Sequence, residues 1–261
     1  MSLLTGVYLA KTLSGTRYYR SSITFRNKHI SLASYSTEIE AHNAYLLAKD
    51  IVTNNKWDLY NYPTECILPY HKWVVLMNLR DNKIYFKNPI YIYKNYFDYF
   101  IDQNLILKFD VDDLFYYSNH KIMVRGGYMF VSSYGSQINI LTRYGIKNFA
   151  IEGIDYRFIN GDNTDFRYMN IEVINKYYGV SLKYKKARPY YEARINVNGS
   201  IVIGRYSNEI DAAIAYNKAI ITLRNKGFEK AYNENFIFEI KEIEYARRYN
   251  KIRISKKILD L

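Results

Sequence analysis

The side chains that could support hydrolysis or metal binding are few in this sequence. Asp162 and Asp165 lie in a polar run and could hold a divalent cation between their carboxylates. Asp110, Asp112 and Asp113 could do the same, but one carboxylate run is a weak signal, and a solvated turn or helix start is the preferred interpretation. The four histidines all lie elsewhere: His29, His42, His71 and His120. The sequence therefore predicts no catalytic residues, no metal site and no cofactor.

Cysteine content and apolar patterning predict the compartment. The one cysteine, Cys66, excludes an internal disulfide and a multi-cysteine metal site, which favours a reducing compartment. Residues 1–10 show no signal peptide, and the apolar stretches 73–79 and 104–109 are far shorter than the ~20 residues of a membrane span. We expect a soluble intracellular protein without a membrane partner, in the cytoplasm or, for a viral protein, the interior of its host cell.

The positive charge is concentrated at the two ends of the chain. The 261 residues carry 37 Lys+Arg and 25 Asp+Glu, a formal net charge of +12. Residues 1–55 contribute +3, 179–227 contribute +6 and 228–261 contribute +2, whereas 56–178 contribute +1. This excess favours a polyanionic partner, and the 49% hydrophobic content excludes wholesale disorder.

The charged ends also resemble one another. The first copy has G-V at 6–7, Y-Y at 18–19, Y-S-T-E-I-E-A at 35–41 and A-Y at 44–45. The second copy has G-V at 179–180, Y-Y at 190–191, Y-S-N-E-I-D-A at 206–212 and A-Y at 215–216. Chance could supply one of these matches, but hardly all of them in order, so the chain contains an internal repeat.

Each copy predicts three strands followed by one helix. Alternating polar and apolar residues indicate half-buried strands, with tight turns at 26–27 and 198–199. Thr37 and Asn208 each precede an acidic residue by three positions, which is the spacing of a capped helix start. The helix would cover one face of the sheet and leave the other face open and polar.

This unit resembles the APETALA/ethylene-response-factor type of DNA-binding domain, which lays the open face of a three-stranded sheet in the major groove. The matching elements are G-V, an arginine on the second strand, the Y-S-x-E-I-[ED]-A corner and the helical A-Y. The second copy matches better because it has Gly204 where the first has Ala33. The resemblance implies eight DNA contacts: Arg20, Ser22, Thr24, Arg26, Lys183, Lys185, Arg194 and Asn196. Four basic residues of the same modules are further candidates: Lys11, Arg17, Arg188 and Arg205.

Residues 159–171 are similar to the I-N-G-D-x-x-D-N-R-x-x-N-L run of HNH homing endonucleases, which often carry APETALA-type modules. That family needs a histidine base and a bound metal. Arg157 and Phe158 occupy the positions of its Asp-His pair, and Thr142 and Phe166 replace a further histidine and asparagine. Five polar residues of the run remain and are expected to form a turn and cap a following helix: Asn160, Asp162, Asp165, Arg167 and Asn170. The resemblance thus implies a degenerate, inactive HNH-like core.

We therefore expect an α+β protein with two small three-stranded-sheet-plus-helix modules flanking a degenerate HNH-like ββα core. The predicted segments are a first module at 1–56, a Tyr-rich middle without long helices at 57–178, a second module at 179–235 and a basic C-terminal helix or arm at 236–261. For the arm, an amphipathic phosphate-gripping element and a terminal helix packed on the second module remain open.

The expected function is double-stranded DNA binding, exapted from a homing endonuclease and used in transcription or other DNA-directed regulation without cleavage. One alternative is a metal-dependent endonuclease with a non-standard site at Asp162 or Asp165. The other is a protein-interaction scaffold whose Tyr-rich middle binds a protein partner through exposed tyrosines. The candidates for that surface are Tyr91, Tyr93, Tyr96 and Tyr99.

Overall fold

The computed structural model describes residues 3–261 and has a mixed α+β fold. The chain divides into two compact units. The first runs to Ile140 and includes Asp162–Asn170, and the second consists of Leu141–Gly161 and Ile171–Leu261. Within the described residues, four antiparallel sheets have three strands each and a fifth sheet has two. Each unit contains one copy of the repeat, together with part of the middle segment.

The first copy forms three strands and a helix, as its sequence predicts. Its elements are β1 (Val7–Lys11), β2 (Arg17–Phe25), β3 (Lys28–Tyr35) and α1 (Glu38–Thr53), with the antiparallel strand order β1–β2–β3. Arg26 and Asn27 form the hairpin turn with φ of 48° and 61°. The Thr37 hydroxyl accepts from the Glu40 amide while the Glu40 carboxylate accepts from the Thr37 amide, so the predicted capping box starts α1.

The first unit contains a long helix that the sequence interpretation missed. This helix, α2 (Tyr70–Asn82), packs against α1 in the main core of the unit. Every residue from Trp73 to Leu79 is buried, so the helix lacks the polar stripe that reveals an amphipathic helix. Lys83 ends α2 in a left-handed conformation, and an irregular segment follows up to β4.

The rest of the first unit consists of two small sheets and a short helix. The elements are β4 (Ile90–Ile92), β5 (Tyr96–Phe100), β6 (Ile106–Asp110), α3 (Leu114–Asn119), β7 (Ile122–Arg125), β8 (Tyr128–Ser133) and β9 (Ser136–Asn139). Strands β4–β6 form one antiparallel sheet and β7–β9 the other. The segment 162–170 joins β6, since the Lys108 amide donates to the Thr164 carbonyl at 2.9 Å and the Phe166 amide donates to the Lys108 carbonyl at 2.7 Å.

The second unit repeats the sheet-and-helix arrangement. Its elements are β10 (Tyr156–Phe158), β11 (Ile171–Val173), β12 (Val180–Lys185), β13 (Arg188–Asn196), β14 (Ser200–Tyr206), α4 (Glu209–Asn225), α5 (Glu242–Lys251) and α6 (Lys256–Leu259). The Asn208 side chain accepts from the Asp211 amide and caps α4 as predicted. The tail packs on the second module, because Ile258 is fully buried in the core beneath β12–β14.

The expected ββα core is not confirmed. Strands β10 and β11 pair antiparallel, but only the single 3₁₀ turn Tyr168–Asn170 lies between them, and the next element after β11 is β12. The segment after β11, where the helix was expected, is a loop. The amides of Ile174 and Asn175 there both donate to the Asp155 carbonyl. Asn170 caps no following helix; its side-chain amide donates to the Asp165 carbonyl at 2.8 Å and stabilises the turn.

Candidate nucleic-acid interface

The sheet β12–β14 has one face covered by α4 and one open face. Ala193, Ile195 and Ile203 point into the core beneath α4, so the alternation of the strands directs their neighbours to the open face. The pairing register confirms the grouping, since Lys183 lies opposite Tyr190, Lys185 opposite Arg188 and Glu192 opposite Arg205. This surface, the second-module face, carries the six predicted contacts of that module: Lys183, Lys185, Arg188, Arg194, Asn196 and Arg205.

A buried glutamate anchors two of these arginines. The Glu192 side chain is 5% exposed, and its carboxylate accepts from Arg194 Nε at 2.7 Å and from Arg205 Nε at 3.0 Å. Burial by itself raises the pKa of Glu192, but the hydrogen bonds and charges of the two guanidinium groups outweigh it and lower the pKa. Glu192 thus remains ionised and holds both guanidinium groups in place while they stay 48% and 64% exposed.

A groove of 620 Å³ runs along β14 beside these arginines. Arg194, Arg205 and Lys257 line it, so three cationic side chains surround one concave surface. Lys257 belongs to the C-terminal tail, which hydrogen-bonds to β14 at the register shift between β13 and β14. The Ser255 amide donates to the Ile203 carbonyl at 2.8 Å. Sequence reasoning identified the tail as basic but could not place Lys257 against this strand.

The open face of β1–β3, the first-module face, carries fewer cations. Arg20 lies opposite Tyr8 and forms no ion pair within residues 3–261. Thr24 lies opposite His29, with the hydroxyl 3.4 Å from a ring nitrogen. Ser22 lies on the same face, but it is only 6% exposed and is recessed in a 260 Å³ hollow that Arg20 also lines.

Three further predicted contacts of the first module do not share a face with Arg20. Lys11 and Arg17 form the last pair of the β1–β2 ribbon, and the period of two along β2 places Arg17 on the side opposite Arg20. Arg26 lies in the hairpin turn rather than on a strand, and its guanidinium stacks 5.9 Å above the Phe25 ring. Lys11, Arg17 and Arg26 therefore lie outside the first-module face.

The two open faces differ at equivalent positions. The Ser22 amide donates to the Gly6 carbonyl as the Arg194 amide donates to the Gly179 carbonyl, which makes Ser22 the counterpart of Arg194. By the same register Arg20 corresponds to Glu192. The first-module face thus has a single arginine where the second-module face has a glutamate flanked by two arginines.

The residues of the polar run have structural partners. Phe158, at the position of the HNH histidine, is 7% exposed, and Arg157 pairs with Glu172 across β10 and β11. Asp165 is 2% exposed and accepts from Arg167 at 2.6 Å and 2.8 Å. Burial raises the pKa of Asp165, but Arg167 outweighs it and the pKa is lowered.

Each of the two acidic groups considered as metal sites in the sequence contains a carboxylate that accepts a hydrogen bond from a backbone amide. Asp162 accepts from the Thr164 amide at 2.9 Å, and Asp110 accepts from the Tyr168 amide at 2.7 Å. Across residues 3–261, no group of three His, Cys, Asp or Glu side chains is arranged to hold a metal ion.

The predicted tyrosine surface is only partly accessible. Tyr91, Tyr93 and Tyr96 are half-buried and lie in a row: the Tyr91 and Tyr93 rings are tilted with centroids 5.1 Å apart, and the Tyr93 and Tyr96 rings are stacked at 4.6 Å. Tyr99 is 1% exposed and cannot contribute to a protein-binding surface, because β5 turns it into the interior. The Tyr93 hydroxyl bonds the Tyr60 hydroxyl at 2.7 Å, so part of the row is satisfied internally.

Comparisons with protein-family models, curated proteins and solved structures found no match for this chain. Among the described residues, no helix is both long and apolar enough to cross a membrane. The proposal for the function therefore rests on the geometry of the first-module and second-module faces.

Proposed function

We propose that this protein binds duplex DNA mainly through the second-module face and takes part in transcription or other DNA-directed regulation. The observation that carries the proposal is the convergence of five cationic side chains on the open face of the sheet β12–β14. Those side chains are Lys183, Lys185, Arg188, Arg194 and Arg205. Lysine and arginine neutralise phosphates, and this term dominates the affinity of most DNA-binding proteins.

The anchored arginines suit base reading as well as phosphate binding. A guanidinium presents a fixed fork of donors that matches the acceptors of guanine in the major groove, and a β-ribbon fits into that groove. Glu192 restricts Arg194 and Arg205 before DNA arrives, so less side-chain entropy is lost on binding. Lys183 and Lys185 have no ion-pair partner in the described chain, which favours a positioning role on phosphates.

We propose further that the protein descends from an HNH homing endonuclease and leaves DNA uncut. Two substitutions support the absence of cleavage. The histidine position is occupied by Phe158, whose ring is packed in the interior, and the neighbouring Arg157 is engaged with Glu172. A phenyl ring can neither accept a proton from water nor bind a metal ion.

The test is a titration of a labelled duplex by fluorescence anisotropy between about 50 and about 200 mM salt. The variant K183Q/K185Q removes two charges from the second-module face. The control K49Q/K241Q removes two exposed charges from α1 and from the residue before α5. If each lysine contacts one phosphate, the slope of log K against log salt becomes shallower by about 2 in the first variant and unchanged in the control.

The same duplex is recovered after incubation with Mg²⁺ or Mn²⁺ and examined on a denaturing gel. We expect intact strands. Nicking that is lost in D162N or D165N would instead support the metal-dependent endonuclease. Absence of binding at low salt would refute the DNA proposal and leave a protein partner as the alternative.

A further inference from the structure

A second basic site lies in the first unit, away from both open sheet faces. It is a pocket of 550 Å³ formed by the start of α2, the segment before β4, the end of β5 and the start of β7. Four basic side chains line it: His71, Lys72, Lys87 and Lys121. No carboxylate lines it, although residues 56–178 carry almost as many acidic as basic side chains.

The basic groups of this pocket are not neutralised by the protein. Within residues 3–261, none of the three lysine ammonium groups makes a hydrogen bond or an ion pair. Lys72 is half-buried, while His71, Lys87 and Lys121 are exposed around it. Like charges held together without a counter-ion cost free energy, and a bound anion would relieve that cost.

The protonation behaviour of the pocket agrees with mutual repulsion. Partial desolvation of the ring by the pocket walls lowers the pKa of His71, and the charges of Lys72 and Lys121 lower it further. Burial also lowers the pKa of Lys72, with Lys87 acting in the same direction. Protonation of His71 and Lys72 is therefore less favourable in the free pocket than in water. An anion bound in the pocket would raise the pKa of His71 again.

The floor of the pocket is formed by two buried aromatic residues. Tyr99 and Phe100 are at most 1% exposed, and the Tyr99 hydroxyl accepts from the Ile122 amide at 3.0 Å. This hydrogen bond joins the end of β5 to the start of β7 and holds the two sides of the pocket together. Asn88 fixes the segment before β4 by donating to the Tyr117 carbonyl at 2.7 Å.

We propose that this pocket binds a small molecule that carries a chain of phosphates, either free polyphosphate or a nucleoside triphosphate. Three lysines provide the point charges that bind phosphate groups, and His71 can take up a proton when the anion is bound. The volume lies within the range of small-molecule sites. The aromatic floor is buried, so it forms a base for the phosphates rather than a stacking surface. The site does not depend on DNA binding by the second-module face.

The test measures binding of tripolyphosphate to the full-length protein by calorimetry, with adenosine triphosphate, orthophosphate and a short duplex as separate arms. K87Q/K121Q removes two exposed lysines of the pocket, so the fold is retained. K49Q/K94Q is the matched control, since both lysines are exposed and lie outside the pocket. We expect tripolyphosphate affinity to fall about tenfold or more in the pocket variant and to stay unchanged in the control.

The second readout is the His71 pKa, followed by NMR with and without tripolyphosphate. It should rise on binding in the wild type and stay constant in K87Q/K121Q. The proposal would be overturned if K87Q/K121Q and K49Q/K94Q bound tripolyphosphate equally tightly, if the wild type did not bind it, or if the His71 pKa did not change on binding. Tighter binding of adenosine triphosphate than tripolyphosphate identifies a nucleotide ligand, and equal binding identifies the phosphate chain. K183Q/K185Q should bind tripolyphosphate normally, which separates this site from the DNA face.

Discussion

Replacing Glu192 by glutamine should destabilise the second module, because this carboxylate anchors two guanidinium groups. In the wild type it accepts from Arg194 at 2.7 Å and from Arg205 at 3.0 Å. The amide of Glu192→Gln keeps one acceptor oxygen, but its nitrogen turns donors toward the other arginine. One charge-assisted hydrogen bond is lost, and the glutamine amide nitrogen then faces an arginine N–H, which is also a donor.

The size of the effect follows from the exposure of the partners. A hydrogen bond to a charged group contributes about 1.5–3 kcal/mol, whereas exposed ion pairs contribute about 0–1 kcal/mol. Glu192 is 5% exposed, but its partners are 48% and 64% exposed, so solvent screens the interaction. We expect a loss of about 1 kcal/mol, equivalent to about 2–4 °C in Tm.

The stability lost in Glu192→Gln should depend on pH. The pKa of Glu192 is lower in the folded protein than its ordinary value of 4.5. Its contribution to stability is therefore complete above pH 4.5 and is lost as the pH falls through the lower folded pKa. The stability difference between wild type and Glu192→Gln should be largest at neutral pH and should shrink below pH 4.5.

Hydrogen exchange of the β13 and β14 amides during urea unfolding measures this difference. Trp57 and Trp73 are the only tryptophans and both lie in the first unit, so their emission is an internal control that should not change. A variant as stable as the wild type at neutral pH, or a difference that does not depend on pH, would refute the assigned role of Glu192.

Three further substitutions test the two modules. Gly179→Ala should destabilise by several kcal/mol, because the new Cβ would lie 2.2 Å from the Tyr216 ring and the residue has a φ of +67°; thermal unfolding measures the loss. Thr37→Ala should cost about 1 kcal/mol by removing the capping box of α1, measurable by urea denaturation. Gly204→Ala should displace the Tyr206 hydroxyl, 2.3 Å from the new Cβ, and accelerate hydrogen exchange in the tail that this hydroxyl bonds.

Gly15→Ala is the control for Gly179→Ala, since Gly15 shares a positive φ but has no heavy atom within 4 Å of the added Cβ. It should cost only the backbone strain, about 1 kcal/mol. Equal losses at the two glycines would contradict the packing explanation. Unchanged exchange at residues 252–258 in Gly204→Ala would show that the tail is held independently of Tyr206.

The repeat could be predicted from sequence because its signals are local. Turn residues at 26–27 and caps at Thr37 and Asn208 each act over a few positions and are unaffected by the rest of the chain. The helix α2 could not be predicted this way, because burial on all sides removes its polar stripe. The low exposure of Ser22 could not be predicted, because strand alternation gives the face on which a residue lies and not how deeply it is recessed.

The candidate sites were predictable only where their residues share a strand. Arg194 and Glu192 are two positions apart, so a strand places them on one face, but the second anchor bond needs Arg205 from the next strand. Lys257 reaches the groove through a tail contact that no local pattern encodes. The basic pocket likewise joins His71 and Lys121, which lie far apart in the sequence.

The most direct test of the central claim is lysine footprinting by amine modification and mass spectrometry, with and without saturating duplex DNA. DNA binding by the second-module face predicts that Lys183 and Lys185 lose reactivity. Lys49 on α1 and Lys241 before α5 should keep theirs. Unchanged reactivity at Lys183 and Lys185 in a protein that does bind DNA, or protection confined to other lysines, would contradict the account.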